Sequence, residues 1–180
     1  EVPDERLTKI TELIKPKKTI PTTFEFTDIA GIVKGASKGE GLGNKFLANI
    51  REVDAIVHVV RAFDDENVMR EQGRESDFVD PIADIDTINL ELILADLESV
   101  NKRYARVEKI ARTQKDKDAI LEFKVLEKIK PVLEAGKSAR TVDFEEDELK
   151  VVKSLFLLTT KPVLYVANVS EDEVGEPDNI

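Results

Sequence analysis

At 180 residues and 41% hydrophobic content, the chain can bury one proper core and still carry an appendage. Its 27 basic residues against 37 acidic ones leave a formal charge of −10, which excludes a surface that binds polyanions indiscriminately. The absence of cysteine excludes disulfides and thiolate metal sites, a single histidine argues against zinc, and no apolar run approaches the ~20 residues that cross a bilayer. A soluble, cytoplasmic protein is the expectation.

In chain order, Glu1-Val2-Pro3 reads as the end of a strand, and Asp4 as the cap of a short helix carrying Leu7, Ile10, Leu13 and Ile14 up to Pro16. Residues 22–29 are expected as a strand that runs into a loop holding five of the chain's eight glycines. Residues 42–53 follow as a helix with Phe46, Leu47 and Ile50 inward. The nearly continuous apolar run 55–63 predicts a central strand covered on both faces. A third such run, 162–169, places Pro162 at a strand's first position, where a missing donor is tolerated. Three buried strands separated by helices indicate an α/β doubly wound parallel sheet.

The second and third runs are separated by a long helical stretch. Leu90, Ile93, Leu97, Val100, Tyr104, Val107 and Ala111 recur at spacings of three and four, a period of 3.5 kept over three heptads. After a polar break at 113–118, Ala119, Phe123, Leu126, Ile129 and Leu133 mark a second helix ending near Gly136. The two stripes predict an antiparallel coiled-coil hairpin about 30 Å long. Leu149, Val152 and Phe156 mark a third helix, with Asp143 as its expected cap. The first long helix also carries Lys102, Arg103, Arg106, Lys109 and Arg112, a basic face on an acidic chain. That face is a candidate contact for RNA or the ribosome, or simply a solvated helix face. His58 lies in mid-strand and Tyr104 on the seam, so both are expected to pack.

Two short constellations carry chemistry. Asp28 at a strand's carboxyl end can point at a Mg²⁺-bound water while the Gly31 N–H approaches a terminal phosphate, although an ordinary βα connection also looks this way. Gly35, Gly39, Gly41 and Gly43 leave the following switch loop free to change shape. The run Gly39–Gly43 is no dinucleotide fingerprint, since position 44 is Asn and no strand immediately precedes it. The second constellation is Asn168-Val169-Ser170-Glu171 at the end of the third apolar run. Ligands bind outside the carboxyl ends of strands in such sheets, so Asn168 is expected in one crevice with Asp28. Guanine nucleotidases carry NKxD there; Glu171 replaces that Asp and is poorly placed for the guanine edge. By itself the tetrapeptide also fits a capped turn with a solvated acid.

The stretches VPDERL (2–7), PTTFEFTDIAGIVKGASKGEGLGNKFLANIRE (21–52), HVVRAF (58–63) and PVLYVANVSEDE (162–173) resemble the Obg-related ATPases, the YchF/Ola group of translation-factor-class P-loop proteins. The resemblance implies that residues 28–31 are switch II and that 168–171 are an altered base motif admitting ATP in preference to GTP. It places Ile32 where related GTPases carry the glutamine that orients the attacking water, a task that an aliphatic side chain cannot perform. It implies ATP and Mg²⁺ as ligands of the intact protein and the ribosome as a partner of a coiled-coil arm. The expected division is 1–80 and 161–180 for a partial nucleotide-binding domain and 81–160 for the helical insertion. The family's GxxxxGK[ST] phosphate loop does not occur in this sequence, and its TGS domain is not matched. The chain alone is therefore expected to hydrolyse no appreciable ATP and to hold nucleotide feebly at best. Many relatives have His where this chain has Arg70. The alternative is an interaction module whose basic arm is the functional part.

Overall fold

The computed structural model describes residues 1–29, 43–64, 79–114 and 116–175. The chain divides into two compact units, Glu1–Ala30 and Gly31–Ile180.

In the first unit, helix α1 (Glu5–Ile14) starts where the Asp4 side chain accepts from the Arg6 amide at 2.9 Å, satisfying one of the N–H groups that a helix leaves orphaned. It stops at Lys15, which turns left-handed at φ 48°, just before Pro16. Cap and stop both fall where the sequence predicts them. The expected strand over 22–29 does not form, nor does the strand end at Glu1-Val2-Pro3. A single backbone bond joins the two stretches among the described residues, Val2 N–H to the Thr22 carbonyl at 2.8 Å. Alternating Phe24 and Phe26 supply strand character, but a strand needs a partner for its whole row of amides and carbonyls.

In the second unit, helix α2 (Gly43–Glu52) buries Leu47 and Ile50. Strand β1 (Ile56–Arg61) and strand β2 (Val163–Asn168) pair in parallel, in register from Ile56 opposite Val163 to Arg61 opposite Asn168. Between them lie helices α3 (Pro81–Gln114), α4 (Lys117–Glu134) and α5 (Glu148–Ser154). The expectation of strands covered on both faces is corrected. Toward α3, the rings of His58 and Tyr165 meet at 5.5 Å and the Asn89 side chain reaches the Tyr165 hydroxyl at 3.3 Å. On the opposite face Val59 and Leu164 are each 62% exposed, because the described residues lay a helix on one side only.

Helix α3 is punctuated by Asp80, whose carboxylate accepts from Ala83 N–H at 3.0 Å, and by Pro81 at the first helical position, where its missing donor costs nothing. Asp116 caps α4 in the same way through Ala119 N–H at 2.9 Å. Ile93, Val100 and Val107 of α3 pack with Val125, Leu126, Ile129 and Leu133 of α4 in one buried cluster, flanked by Leu97, Tyr104, Ala119 and Phe123. Tyr104 and Phe123 stack at 5.0 Å, and neighbouring Arg103 and Glu122 form an ion pair. Leu90 departs from the predicted seam and is 49% exposed. From the Tyr104–Phe123 contact, eleven residues forward reach the end of α4 at Glu134 and eleven back reach only Ile93, so α4 has nothing to set against Leu90. Gly136, at φ 71°, supplies the left-handed turn that takes the chain away.

The third helix is shorter than its apolar spacing suggests. Asp147, not Asp143, holds the cap position and makes no cap bond, Leu149 is 45% exposed, and Phe156 lies beyond the helix end. What fixes α5 is Glu148. Its side chain is wholly buried, with Lys128 Nζ at 2.6 Å, Lys124 Nζ at 3.0 Å and the Glu145 amide donating at 2.9 Å. Oε2 takes the well-formed hydrogen bonds, whereas Oε1 meets Lys124 as a charge without hydrogen-bond geometry. Lys128 first, then the Glu145 amide and Lys124, bring the Glu148 carboxyl down from 4.5 to about 2.

A depressed carboxyl contributes stability that is complete above its unfolded value and lost as pH falls through the folded one. Acid unfolding monitored by circular dichroism is therefore expected to draw on Glu148 between about pH 4.5 and 2. Glu148→Gln is expected to flatten the stability profile in that window and lower stability at pH 7. An unchanged acid limb would show that the triad does not hold α5.

Candidate functional site

Strand β2 delivers Asn168 to its carboxyl end, where the Asn168 carbonyl accepts from Ala62 N–H at 2.8 Å. Its side chain is exposed and hydrogen-bonds to no other described residue. The 3₁₀ turn Glu171–Glu173 follows directly. Ser170 caps it, with the Glu173 carboxylate accepting from the Ser170 hydroxyl at 2.7 Å and from its amide at 3.2 Å. The capped turn that the tetrapeptide alone allowed does exist, but Ser170 and Glu173 build it. Asn168 and Glu171 are left displayed at the strand end, three residues apart.

Asp28 lies in the first unit, exposed and hydrogen-bonded to no other described residue. Gly31, Ile32, Gly35, Gly39, Gly41 and Arg70 lie outside the described residues; Gly43 is the first residue of α2. Among the described residues no group of three or more His, Asp or Glu side chains could hold a metal ion. No described helix is long and apolar enough to cross a membrane.

The five basic candidates on α3 divide by their partners. Lys102 pairs with Glu98 at 2.5 Å and Arg112 with Glu108 at 2.8 Å, each one helical turn away. Arg103 points across to Glu122 of α4, and the Glu122 carboxylate raises its guanidinium further. Arg106 and Lys109 are exposed and make no ion pair to a described residue. They are three residues apart, on one face of the helix.

Sequence reasoning missed an elaborate polar cluster centred on α3. Asp96 of α3 is completely buried. Its carboxylate accepts from the Leu158 amide at 2.9 Å, the Thr159 amide at 2.7 Å and the Thr159 hydroxyl at 2.7 Å. Those amides open the 3₁₀ turn Leu158–Thr160 that feeds β2, so a helix carboxylate caps a turn more than sixty residues away. The Thr159 hydroxyl in turn accepts from Ala139 N–H at 3.0 Å. Burial pushes the Asp96 carboxyl up, against the pull of the Thr159 and Leu158 donors and of Arg51, whose Nη1 lies 3.5 Å away. Arg51, near the end of α2, also donates to the Phe156 carbonyl at 2.9 Å and to the Ser99 hydroxyl at 3.1 Å. Lys161 Nζ completes the cluster by donating to the carbonyls of Arg51 at 3.0 Å and Val53 at 2.5 Å, a cation on the carboxyl end of α2. The one signal in the sequence is an acid flanked by Ala95 and Leu97 on an apolar helix face.

The described residues form a parallel strand pair flanked by helices, and comparison with known proteins places that arrangement in the P-loop GTPase-like class. The family model for 50S ribosome-binding GTPases matches residues 5–123, and the chain belongs to that family. Within it, the YchF proteins are matched along nearly the whole sequence. A ribosome-binding ATPase YchF of Bacillus subtilis is 67% identical over 98% of this chain and 47% of its own length. One from Escherichia coli O157:H7 is 50% identical over 95% of this chain and 46% of its own. The solved YchF GTPase of Schizosaccharomyces pombe superposes with a TM-score of 0.71 at 42% identity, over 96% of this chain and 46% of that one. The chain thus spans about half the length of the relatives it matches.

Asp96→Ala would orphan two buried amides and take from Arg51 its counter-ion. It is expected to cost about 2–4 kcal/mol by urea denaturation. A loss under about 0.5 kcal/mol, the size of an ordinary surface change, would remove Asp96 from this role.

Proposed function

We propose that this chain carries the switch II segment, the base-recognition strand end and the ribosome-facing helical arm of an ATPase that works on the ribosome. The observation that supports it most directly is the strand end, where Ser170 and Glu173 close the turn and leave Asn168 and Glu171 exposed. Asn168 would hydrogen-bond the purine, and Glu171 would accept from the exocyclic amine of adenine while being poorly placed for the guanine edge. Asp28 would meet Mg²⁺ through a water and Gly31 would lie at the terminal phosphate. A single exposed carboxylate fits one outer-sphere contact to Mg²⁺, which commonly keeps its waters and takes phosphates as ligands. When bound, the ion would neutralise charge on the phosphates. The lysine and hydroxyl of a phosphate loop are not in this sequence, so the chain by itself is proposed to turn over no appreciable ATP. Ile32 at the water-orienting position leaves polarisation of the attacking water to another group.

Residues 81–160 would act as a coiled-coil insertion, with Arg106 and Lys109 its contact to ribosomal RNA; Lys102, Arg103 and Arg112 would contribute field while already paired within the helices. The relatives named ribosome-binding ATPases favour ATP, and the fungal neighbour titled a GTPase keeps guanine as the competitor to exclude.

Calorimetric titration of a chain extended to the length of its relatives is expected to show ATP bound more tightly than GTP. Glu171→Asp should narrow the ratio by about tenfold, or 1.4 kcal/mol. Equal or tighter GTP binding in the parent would sink the reading of Glu171. Arg106→Glu with Lys109→Glu is expected to lower ribosome co-sedimentation by about tenfold or more at low salt, with a shallower salt dependence. Unchanged binding would take the arm out of the contact.

A further inference from the structure

The strand end and the basic helix face belong to different elements, yet one side chain sits where the connector into β2 meets α3. Arg51 reaches from α2 to three destinations: the Phe156 carbonyl, the Ser99 hydroxyl of α3, and Asp96. It also lines a cleft of about 290 Å³ with Leu47 and Ala48 of α2 and Ala95, Glu98, Ser99 and Lys102 of α3. Lys102 is the first residue of the basic face, so that face begins at the mouth of this cleft.

The Phe156 contact is informative because of what it holds. Phe156 stands at φ 51° with its ring 62% exposed. A left-handed conformation is strained for a non-glycine residue, and an exposed side chain returns little of that through packing. Two residues further on, the Leu158 and Thr159 amides are fixed on Asp96. The strained residue and the capped turn are thus consecutive parts of the connector entering β2, with Arg51 on the first and Arg51's own counter-ion on the second. Lys161, at the end of the same connector, holds the last carbonyls of α2 from the other side. A guanidinium suits this position because its planar fork serves several acceptors at once, which an ammonium cannot do in the same geometry.

We propose that Arg51 is a positioning residue that locks α2, the middle of α3 and the connector into β2 as one body, so that the strand end bearing Asn168 and Glu171 keeps a fixed relation to the basic face bearing Arg106 and Lys109. This rests on the preceding reading of those two sites for its functional meaning, but the lock itself needs neither ligand. Through it, an event at the strand end reaches the arm without a hinge between them. Removing the fork would let the connector relax its left-handed residue and uncouple the two ends.

The chain has no cysteine, so two introduced ones can be spin-labelled uniquely. Ala105→Cys on α3 and Asp172→Cys beyond β2 are exposed and outside the cluster. In the nucleotide-free chain, their distance distribution is expected to be narrow and to broaden clearly with Arg51→Met, while amide exchange at Leu158 and Thr159 accelerates by about tenfold. Arg51→Lys, which keeps the charge and can serve one acceptor well, is expected to stay folded and broaden the distribution by less; it decides the matter if Arg51→Met unfolds. A folded Arg51 variant with an unchanged distribution and unchanged Leu158 and Thr159 exchange would overturn the lock. Because no nucleotide or ribosome is present, that result would leave the proposed ligands standing, and their failure in titration would leave the lock standing.

Discussion

Asp96 has to stay charged or hydrogen-bonded in a place without water, and the second unit is arranged around that requirement. A buried carboxylate is costly unless its lone pairs are filled, and here two amides and a hydroxyl fill them while a guanidinium offsets the charge. Each donor comes from a different point of the chain than the helix that carries the acid. Satisfying one side chain therefore dictates where α2 ends, where the connector turns and where β2 begins. The apolar cluster between α3 and α4 supplies most of the burial but little direction, since hydrophobic contact is nearly indifferent to small slides. The polar cluster supplies the direction.

Glu148 plays the matching part further along. It holds a seven-residue helix, too short to be stable by itself, against two lysines of α4. The two buried acids respond oppositely to their settings: lysines and an amide press Glu148 down to about 2, whereas burial lifts Asp96. The difference is one of neighbours. Glu148 has two full cations within 3.0 Å, while Asp96 has neutral donors and one guanidinium at 3.5 Å.

Much of the secondary structure was legible. Asp4 and Gly136 mark their helix ends by local chemistry, the two runs around His58 and Tyr165 form strands, and the 3.5-residue stripe packs from Ile93 to Val107. The failures share one cause. Among the described residues, 22–29 have strand composition without a strand to pair with, Val59 and Leu164 have core composition without a second layer, and Leu90 continues a stripe past the end of its partner helix. Composition states what a residue would accept; it does not say that the partner is there. At the candidate site, Asn168 and Glu171 were visible because strand-end chemistry is local, but the turn's cap fell to Ser170 and Glu173.

By itself the sequence determined the family, the cap of α1, the two runs that pair as β1 and β2 and the identity of the displayed polar residues, all of which depend on contacts a few positions apart or on long matched motifs. Only the tertiary structure decided which charges are spoken for. Arg103 and Arg106 are alike on paper, yet one is tied to Glu122 and the other is open to a partner. Asp96 looked like any helix acid until Leu158 and Thr159, more than sixty residues away, were folded onto it. Charge pairing and burial are set by distances through space, and those come into being only when the chain has closed on itself.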